Sequence, residues 1–578
     1  MRKGLKPDDI KKCTKNELEL LCEQLRRVIY ETVMERGGHL ASNLGAVEST
    51  VALLYVFDFP NDKVVFDVGH QCYAYKLLTN RFENFQTLRM EGGISGFPKR
   101  MESEYDSYDT GHAGTSISAA LGLAKAKQLK GENGYVIAYI GDGSFQNGLV
   151  YEALNSLKVL HSNVLIVLND NGMSISPTVG GMSDILNGLQ NTSAKENVRV
   201  LERFGLKYLG VKDGNDVGEM IEAFSQAKEM LATTSVLLHI STKKGKGYSF
   251  SEEHPTDTHG VTPVGTLAEK EYSQVLGETL CSLAKTQEKL VVVSAAMKEP
   301  LGLNDFFALY PGRAFDVGIC EEHACVLCAA MAAGGLKPYY AIYSTFLQRA
   351  FDEIIHDVCA QDVPVTFCID RAGISGADGE THQGVFDLSY LSFIPNLAIA
   401  VPKDTEEFKE LLVFSAEYPH PLAIRYPRSG KVIFESERKP ILLGKWEYLR
   451  KTNFTGRKKV TILACGERSL LFAMQAAYDF SEKGGVIDVV NARFVKPLDM
   501  DFLRDLDSEY VVTIEDNVFI GGFGNTVNNA LIQLGKRCKI KNFAYEDCFI
   551  PQGNVQYLQS KYGVSLQELE RYLTEILQ

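Results

Sequence analysis

Two apolar runs that end in polar turns restrict the fold of this chain more than any other feature. Tyr135–Ile140 leads into Gly-Asp-Gly at 141–143, and Val164–Leu168 leads into Asn-Asp-Asn at 169–171. Both runs have the length and β-branched content of buried parallel strands, and Val150–Leu160 between them carries Leu and Val at helical spacing. A strand-helix-strand unit of this kind lays the carboxyl ends of its strands side by side, and ligands bind in the crevice beyond them. Asp142 and Asn171 are therefore expected to face one pocket although they lie far apart in sequence.

The residue types at these strand ends suit a metal-bound anion. An Asp carboxylate, an Asn side-chain oxygen and a backbone carbonyl make a partial shell of hard oxygen ligands, which suits magnesium, an ion that takes its remaining ligands from water and substrate phosphates. Glycine on each side of Asp142 lets backbone N–H groups approach a diphosphate closely. A plain strand-end turn is the other reading that these residues leave open.

The rest of the chain repeats the α/β alternation. A first segment runs to about residue 267, a second begins near Thr266 with strands such as KLVVVSA and PVTFCID, and a third follows the loop near 431–440. The expected architecture is three tandem α/β domains with mostly parallel sheets, 1–267, 268–435 and 436–578. NGLQNTSAKENVRV, which combines Gly, Asn and charge without a clear period, is expected to be a mobile connection, and GGFGNTV at Gly521 a tight strand-to-helix turn that lacks the third glycine of a dinucleotide site. The spacing of Cys325 and Cys328 also occurs in zinc and redox sites, but the surrounding Ala and Met residues predict a buried helix.

Charge and composition narrow the function. Lys+Arg 60 against Asp+Glu 73 gives a net charge of -13, which argues against a general role on nucleic acid or a membrane surface. No apolar stretch approaches about 18 residues, and MRKGLKPDDIKKCTK has no signal-peptide core. The 12 cysteines are scattered, many within apolar runs, as expected of reduced thiols. A cytoplasmic location is expected.

GDG followed by NDN is similar to the thiamine-diphosphate motif of the transketolase superfamily. RGGHLASNLGAVEST, DVGHQCYAYKLLTNR, GISGFPKRMESEYD, TGHAGTSISAALG, TKKGKGY, GICEEHA, DRAGISGADGETHQGVFDLSYL and IRYPRSG resemble the 1-deoxy-D-xylulose-5-phosphate synthase family, in that family's order from Arg36 to Gly430. The chain departs from the family pattern at Gly172, at Phe145 and Gln146, after Gly188, where it is shorter, and at Lys298 to Pro300.

The resemblance implies a transketolase-like fold that binds thiamine diphosphate and Mg2+. Asp142, Asn171 and the Met173 carbonyl would hold the metal, and Gly143 and Ser144 would meet the diphosphate. His70, Gly111, His112, Ala113, Lys246 and Tyr248 would line the same end, with His259 nearby. Glu321 would hydrogen-bond the aminopyrimidine; its neighbour Glu322 points elsewhere on a helix, so only one of the two reaches the ring. Tyr343, Phe346 and Arg349 would pack around that ring. Pyruvate and D-glyceraldehyde 3-phosphate are the implied substrates, with His39, His70 and His382 moving protons, Asp378 orienting His382 or substrate, and Arg371 with Arg425 or Arg428 binding the acceptor phosphate. Because metal and pyrimidine residues fall in different domains, the resemblance further implies a homodimer. The alternatives are transketolase, a 2-oxo acid dehydrogenase component acting on lipoyl protein, and a cofactor-binding scaffold.

Overall fold

The computed structural model describes residues 6–173, 178–189, 194–262, 270–430, 432–435, 440–452, 458–481 and 485–577. The chain divides into two compact units. The first comprises Met1–Leu267, Val317–Cys320 and Ala377–Thr381, and the second the remainder. The domain boundaries expected after 267 and 435 adjoin 263–269 and 436–439, which lie outside the described residues.

The first unit is built on a five-stranded parallel sheet: β1 (Lys63–Phe66), β2 (Val136–Gly141), β3 (Leu165–Asp170), β4 (Leu206–Asp213) and β5 (Ser235–Ser241), in the order β1-β2-β3-β5-β4. Alternate residues of β2 and β3 feed different cores. Ile137, Tyr139, Leu165 and Val167 pack with α1 (Lys15–Arg36) and α2 (Val47–Val56). Ala138, Ile140, Ile166 and Leu168 pack with α3 (Ser116–Lys130) and α4 (Gly148–Leu160). Helices on both faces explain why these strands read as unbroken apolar runs instead of alternating ones. Phe145 is fully buried in the second of these cores. The connection expected over NGLQNTSAKENVRV is instead the end of α5 (Gly181–Leu189) and most of α6 (Ala194–Glu202); Leu186, Leu189 and Leu201 pack against the same core. Residues 190–193 lie outside the described residues.

The second unit holds two large sheets and a two-stranded antiparallel pair of Lys270–Glu271 with Ser429–Gly430. One has seven strands: β6 (Leu290–Ser294), β7 (Ala314–Asp316), β8 (Lys337–Tyr343), β9 (Thr366–Asp370), β10 (Ala398–Ala400) and β11 (Leu422–Arg425) are mutually parallel, and Phe494–Lys496 adds an antiparallel edge. The other has five: Glu447–Arg450, Lys459–Ala464, Val486–Asn491, Tyr510–Val518 and Lys539–Tyr545, all parallel except the first. The sheets are thus the expected mostly parallel ones. In the GGFGNTV turn, Glu515 accepts the Phe523 and Gly524 N–H groups at 2.7 and 2.8 Å, so a side chain of the protein already fills the start of helix Phe523–Gln533. Cys325 and Cys328 are buried on the helix Glu321–Ala333, and among the described residues no group of three or more His, Cys, Asp or Glu is placed to hold a metal.

Candidate active site

In the first unit, the register pairs Gly141 with Asn169, and the Asp142 N–H donates to the Asn169 carbonyl at 3.2 Å. Asp142 and Asn171 therefore leave neighbouring strand ends. Asp142 is buried, and neither carboxylate oxygen has a hydrogen-bond partner among the described residues. Burial, followed by the nearby Asp170 carboxylate, pushes its pKa up to about 7. Burying a carboxylate is costly, the influences that oppose its rise, among them Lys244, are outweighed, and a hard cation is a partner that removes the cost. The Asn171 side chain accepts the Met173 N–H at 3.1 Å, folding the turn so that Asn171 and Met173 lie together. Gly172 between them has φ 72, in the left-handed region, which other residues adopt only with strain. Ser174–Pro177 fall outside the described residues. Behind the turn, Asp170 accepts the Gly172 N–H at 3.0 Å and contacts His239 at 2.9 Å, and His239 in turn meets the Tyr208 hydroxyl at 3.0 Å. Gly143 and Ser144 open a short turn on the Asp142 side.

The Gly111–Gly114 loop is pinned from two sides. Asp67, just beyond β1, accepts the Gly114 and Ser116 N–H groups at 2.9 and 3.0 Å and so occupies the start of α3. On the other side the His112 ring meets the Thr381 carbonyl at 2.7 Å. A Cβ on Gly111 would lie 2.3 Å from the Thr381 hydroxyl, which is why this position takes glycine.

Three histidines form a triangle, with ring centres 5.5 Å apart for His39 and His70, 5.6 Å for His39 and His259, and 5.4 Å for His70 and His259. Buried Asn43 holds two of them by donating to the His39 and His70 carbonyls, each at 2.6 Å. Reciprocal backbone hydrogen bonds between Gly38 and Val261 bring His259 alongside. Desolvation pushes His39 down to about 4 and His259 well below its usual value, so both are neutral near pH 7. The Nδ1 atoms of His39 and His259 have no hydrogen-bond partner among the described residues. Buried Lys244 acts electrostatically on both rings and on Asp142. Lys246, two residues on, is half-buried, and Tyr248 stacks on Tyr30 of α1 with ring centres 4.1 Å apart. Asp378 accepts from Arg89 at 2.6 Å.

In the second unit, Glu321 opens the helix Glu321–Ala333 and is buried, whereas Glu322 is only half-buried. The Glu321 carboxylate accepts from Arg349 at 3.0 Å. Tyr343, at the end of β8, stacks on Phe346 at 5.5 Å, and Phe346 meets His382 edge-on at 5.6 Å. The Arg371 guanidinium lies 4.2 Å from the Tyr343 ring centre and pairs with Asp370 at 2.7 Å. Arg371 has φ 55, a left-handed conformation that is costly for a non-glycine residue. Tyr343, Phe346, Arg371 and His382 thus form one cluster.

Arg425 requires a correction. It is buried, its Nε donates to both oxygens of Asp387 at 2.8 and 3.0 Å, and its other contacts are the Gly384 and Asp516 carbonyls. This is a structural ion pair and not a phosphate site. Arg428 is exposed. Sequence reasoning also passed over Asn43, Asp67, Arg89 and Lys244. Only Lys244 carried a signal, as a second cation within TKKGKGY.

Comparison with known proteins accords with this geometry. Residues 1–200 match the family model of 1-deoxy-D-xylulose-5-phosphate synthase, residues 268–430 that of the transketolase pyrimidine binding domain, and residues 444–569 that of the transketolase C-terminal domain. The 1-deoxy-D-xylulose-5-phosphate synthase of Clostridium botulinum (strain Alaska E43 / Type E3) is 44% identical over 96% of this chain and 96% of its own length. That of Clostridium beijerinckii is 43% identical over 99% and 98%. A solved transketolase from Campylobacter jejuni aligns over 96% of this chain and 99% of its own, at 18% identity and a TM-score of 0.45. With this identity sustained along nearly the whole chain, the protein belongs to the 1-deoxy-D-xylulose-5-phosphate synthase family of transketolase-type transferases.

Proposed function

We propose that this chain condenses pyruvate with D-glyceraldehyde 3-phosphate, releasing carbon dioxide and forming 1-deoxy-D-xylulose 5-phosphate, with thiamine diphosphate and magnesium as cofactors. Family membership supports the reaction. The observation that carries the site is Asp142, a buried carboxylate at a parallel-strand end whose two oxygens have no hydrogen-bond partner among the described residues. Asp142, the Asn171 side chain and the Met173 carbonyl hold the cation. Gly143 and Ser144 bind the diphosphate, and Gly111, His112, Ala113, His70 and Lys246 line the same end, with Tyr248 joining them only if it leaves its stack on Tyr30. When bound, thiamine diphosphate supplies a carbon nucleophile and an electron sink for decarboxylation.

The protein's own groups do the rest. Glu321, oriented by Arg349, holds the aminopyrimidine by a hydrogen bond, with Phe346 and Tyr343 packed against it. His39, neutral near pH 7, is able to accept a proton at Nδ1, which has no partner among the described residues. His70 and His382 serve as further proton carriers, and Asp378 orients substrate. Arg371 and Arg428 bind the acceptor phosphate, since guanidinium groups stay charged and match phosphate oxygens in pairs. The division into domains 1–267, 268–435 and 436–578 belongs to the same reading. So does a cytoplasmic homodimer, for which 12 cysteines outside any disulfide and a net charge of -13 are suitable attributes.

Incubating the protein with [2-13C]pyruvate and D-glyceraldehyde 3-phosphate tests the reading. Label should appear at the ketone carbon of 1-deoxy-D-xylulose 5-phosphate, with one unlabelled carbon dioxide per product. Ketol transfer between sugar phosphates without decarboxylation of pyruvate would refute it.

A further inference from the structure

Ala377–Thr381 belongs to the first unit, although Gly376 and His382 on either side belong to the second. Five residues from the middle of another unit's sequence need fastening, because they contribute no strand or helix to the unit that receives them. Four polar contacts supply it. Arg89 donates to the Asp378 carboxylate at 2.6 Å and to the Ala377 carbonyl at 3.4 Å, and His112 meets the Thr381 carbonyl at 2.7 Å. The fourth is an ion pair between Lys99 and Glu380 at 2.5 Å, with each side chain about a quarter exposed, at 27% and 28%.

The first three contacts involve groups already placed at the site, or Arg89 directly bonded to one. Lys99 and Glu380 differ, for neither belongs to the cofactor-binding or substrate-binding set. What distinguishes Lys99 is the rigidity of its support. Its backbone N–H donates to Asp106 at 2.8 Å, and Asp106 is held by both terminal nitrogens of buried Arg81. Glu102 in the same loop is fastened by Lys76, whose side chain is fully buried, at 2.6 Å. The Lys99 ammonium is therefore presented from a loop anchored by two buried ion pairs. Arg89, by contrast, reaches Asp378 from a left-handed backbone, φ 63.

We propose that Lys99 and Glu380 are positioning residues whose ion pair latches Ala377–Thr381, keeping Asp378 on Arg89 and the Thr381 carbonyl on His112. The inference rests on the reading of Asp378 and His112 as substrate and cofactor groups. Asp378 and Arg89 act in opposite senses on the protonation of His39, so movement of the segment also changes the surroundings of that ring.

Charge reversal tests the latch. Lys99→Glu and Glu380→Lys should each lower kcat/KM for D-glyceraldehyde 3-phosphate by about tenfold, and the double reversal should recover to within about threefold of the parent, as a direct pair predicts. Amide hydrogen exchange over 377–381, measured on the same proteins, should quicken in each single variant and return in the double. Exchange requires no turnover, so it tests the latch even if the proposed reaction is wrong. Single variants with parental exchange, or a double reversal as impaired as the worse single, would overturn the latch. Quickened exchange with unchanged kcat/KM in a protein that makes the product would overturn the positioning role.

Discussion

At the scale of single residues, the site combines groups whose surroundings oppose their charged forms. His39 is the clearest case for a pH effect. Desolvation keeps it neutral in the folded protein down to about pH 4, whereas in the unfolded chain it takes up a proton near 6.5. Its contribution to stability is thus complete above about 6.5 and is lost as pH falls towards 4, a loss on the order of 1–3 kcal/mol. His39→Gln should show a shallower decline in unfolding free energy across that window, measured by denaturant titration at successive pH values. Parallel curves for the two proteins would mean that His39 is not the desolvated group described. His259 lies in the same triangle and is shifted in the same direction, so it accounts for part of the decline that remains.

At the scale of elements, a carboxylate fills a helix start in each unit: Asp67, just beyond β1, at α3, and Glu515, within the strand Tyr510–Val518, at the helix Phe523–Gln533. Asp67→Asn retains the shape but turns an amide donor towards one of two N–H groups. It should destabilise the protein by about 1–3 kcal/mol, the usual cost of a buried group left unsatisfied. Because the Gly111–Gly114 loop would shift, half-saturation by thiamine diphosphate should rise by about tenfold or more. Unchanged cofactor affinity in a destabilised variant would confine Asp67 to a structural role. The elements themselves were largely legible in the sequence. The apolar runs before Asp142 and Asn169 became β2 and β3 because both faces of their sheet are covered, so their signal needed no knowledge of distant contacts. Asn43 and Asp67 were not legible, since they act by bonding backbone groups far along the chain, and no local spacing encodes that. Helices α5 and α6 were missed because Gly188 and the Asn residues around it mask an apolar stripe that exists only against the second core.

At the scale of the molecule, the second unit is tied together by charges. Arg425, at the end of β11, binds Asp387 and the Asp516 carbonyl of the strand Tyr510–Val518, so it joins the seven-stranded sheet to the five-stranded one. Lys403, Glu407, Glu447 and Arg493 form a second such network, with Asn491 donating to Glu407. IRYPRSG offered two arginines three residues apart, and spacing alone did not say which is enclosed; the strand carries the first inward and ends there. Arg425→Ala should strand a buried carboxylate and destabilise the protein by about 3–5 kcal/mol. Its loss of activity should be equal with D-glyceraldehyde 3-phosphate and with unphosphorylated D-glyceraldehyde. Arg428→Ala, at an exposed position, should instead change unfolding by no more than about 1 kcal/mol and lower kcat/KM about ten- to a hundredfold with the phosphorylated acceptor only. Stability and acceptor kinetics measured on both variants check this, and a reversed pattern would return the phosphate role to Arg425.

The central claim is that the metal end and the reactive end of the cofactor are held by separate carboxylates, Asp142 and Glu321. Calorimetric titration of thiamine diphosphate, with magnesium in excess, into the parent protein, Asp142→Ala and Glu321→Ala tests it most directly. Asp142→Ala should lose measurable binding, since one of few metal ligands is gone. Glu321→Ala should bind within about fivefold of the parent while its turnover falls at least about a hundredfold, the scale of a lost acid-base group. Parent-like binding by Asp142→Ala, or parent-like turnover by Glu321→Ala, would contradict the account.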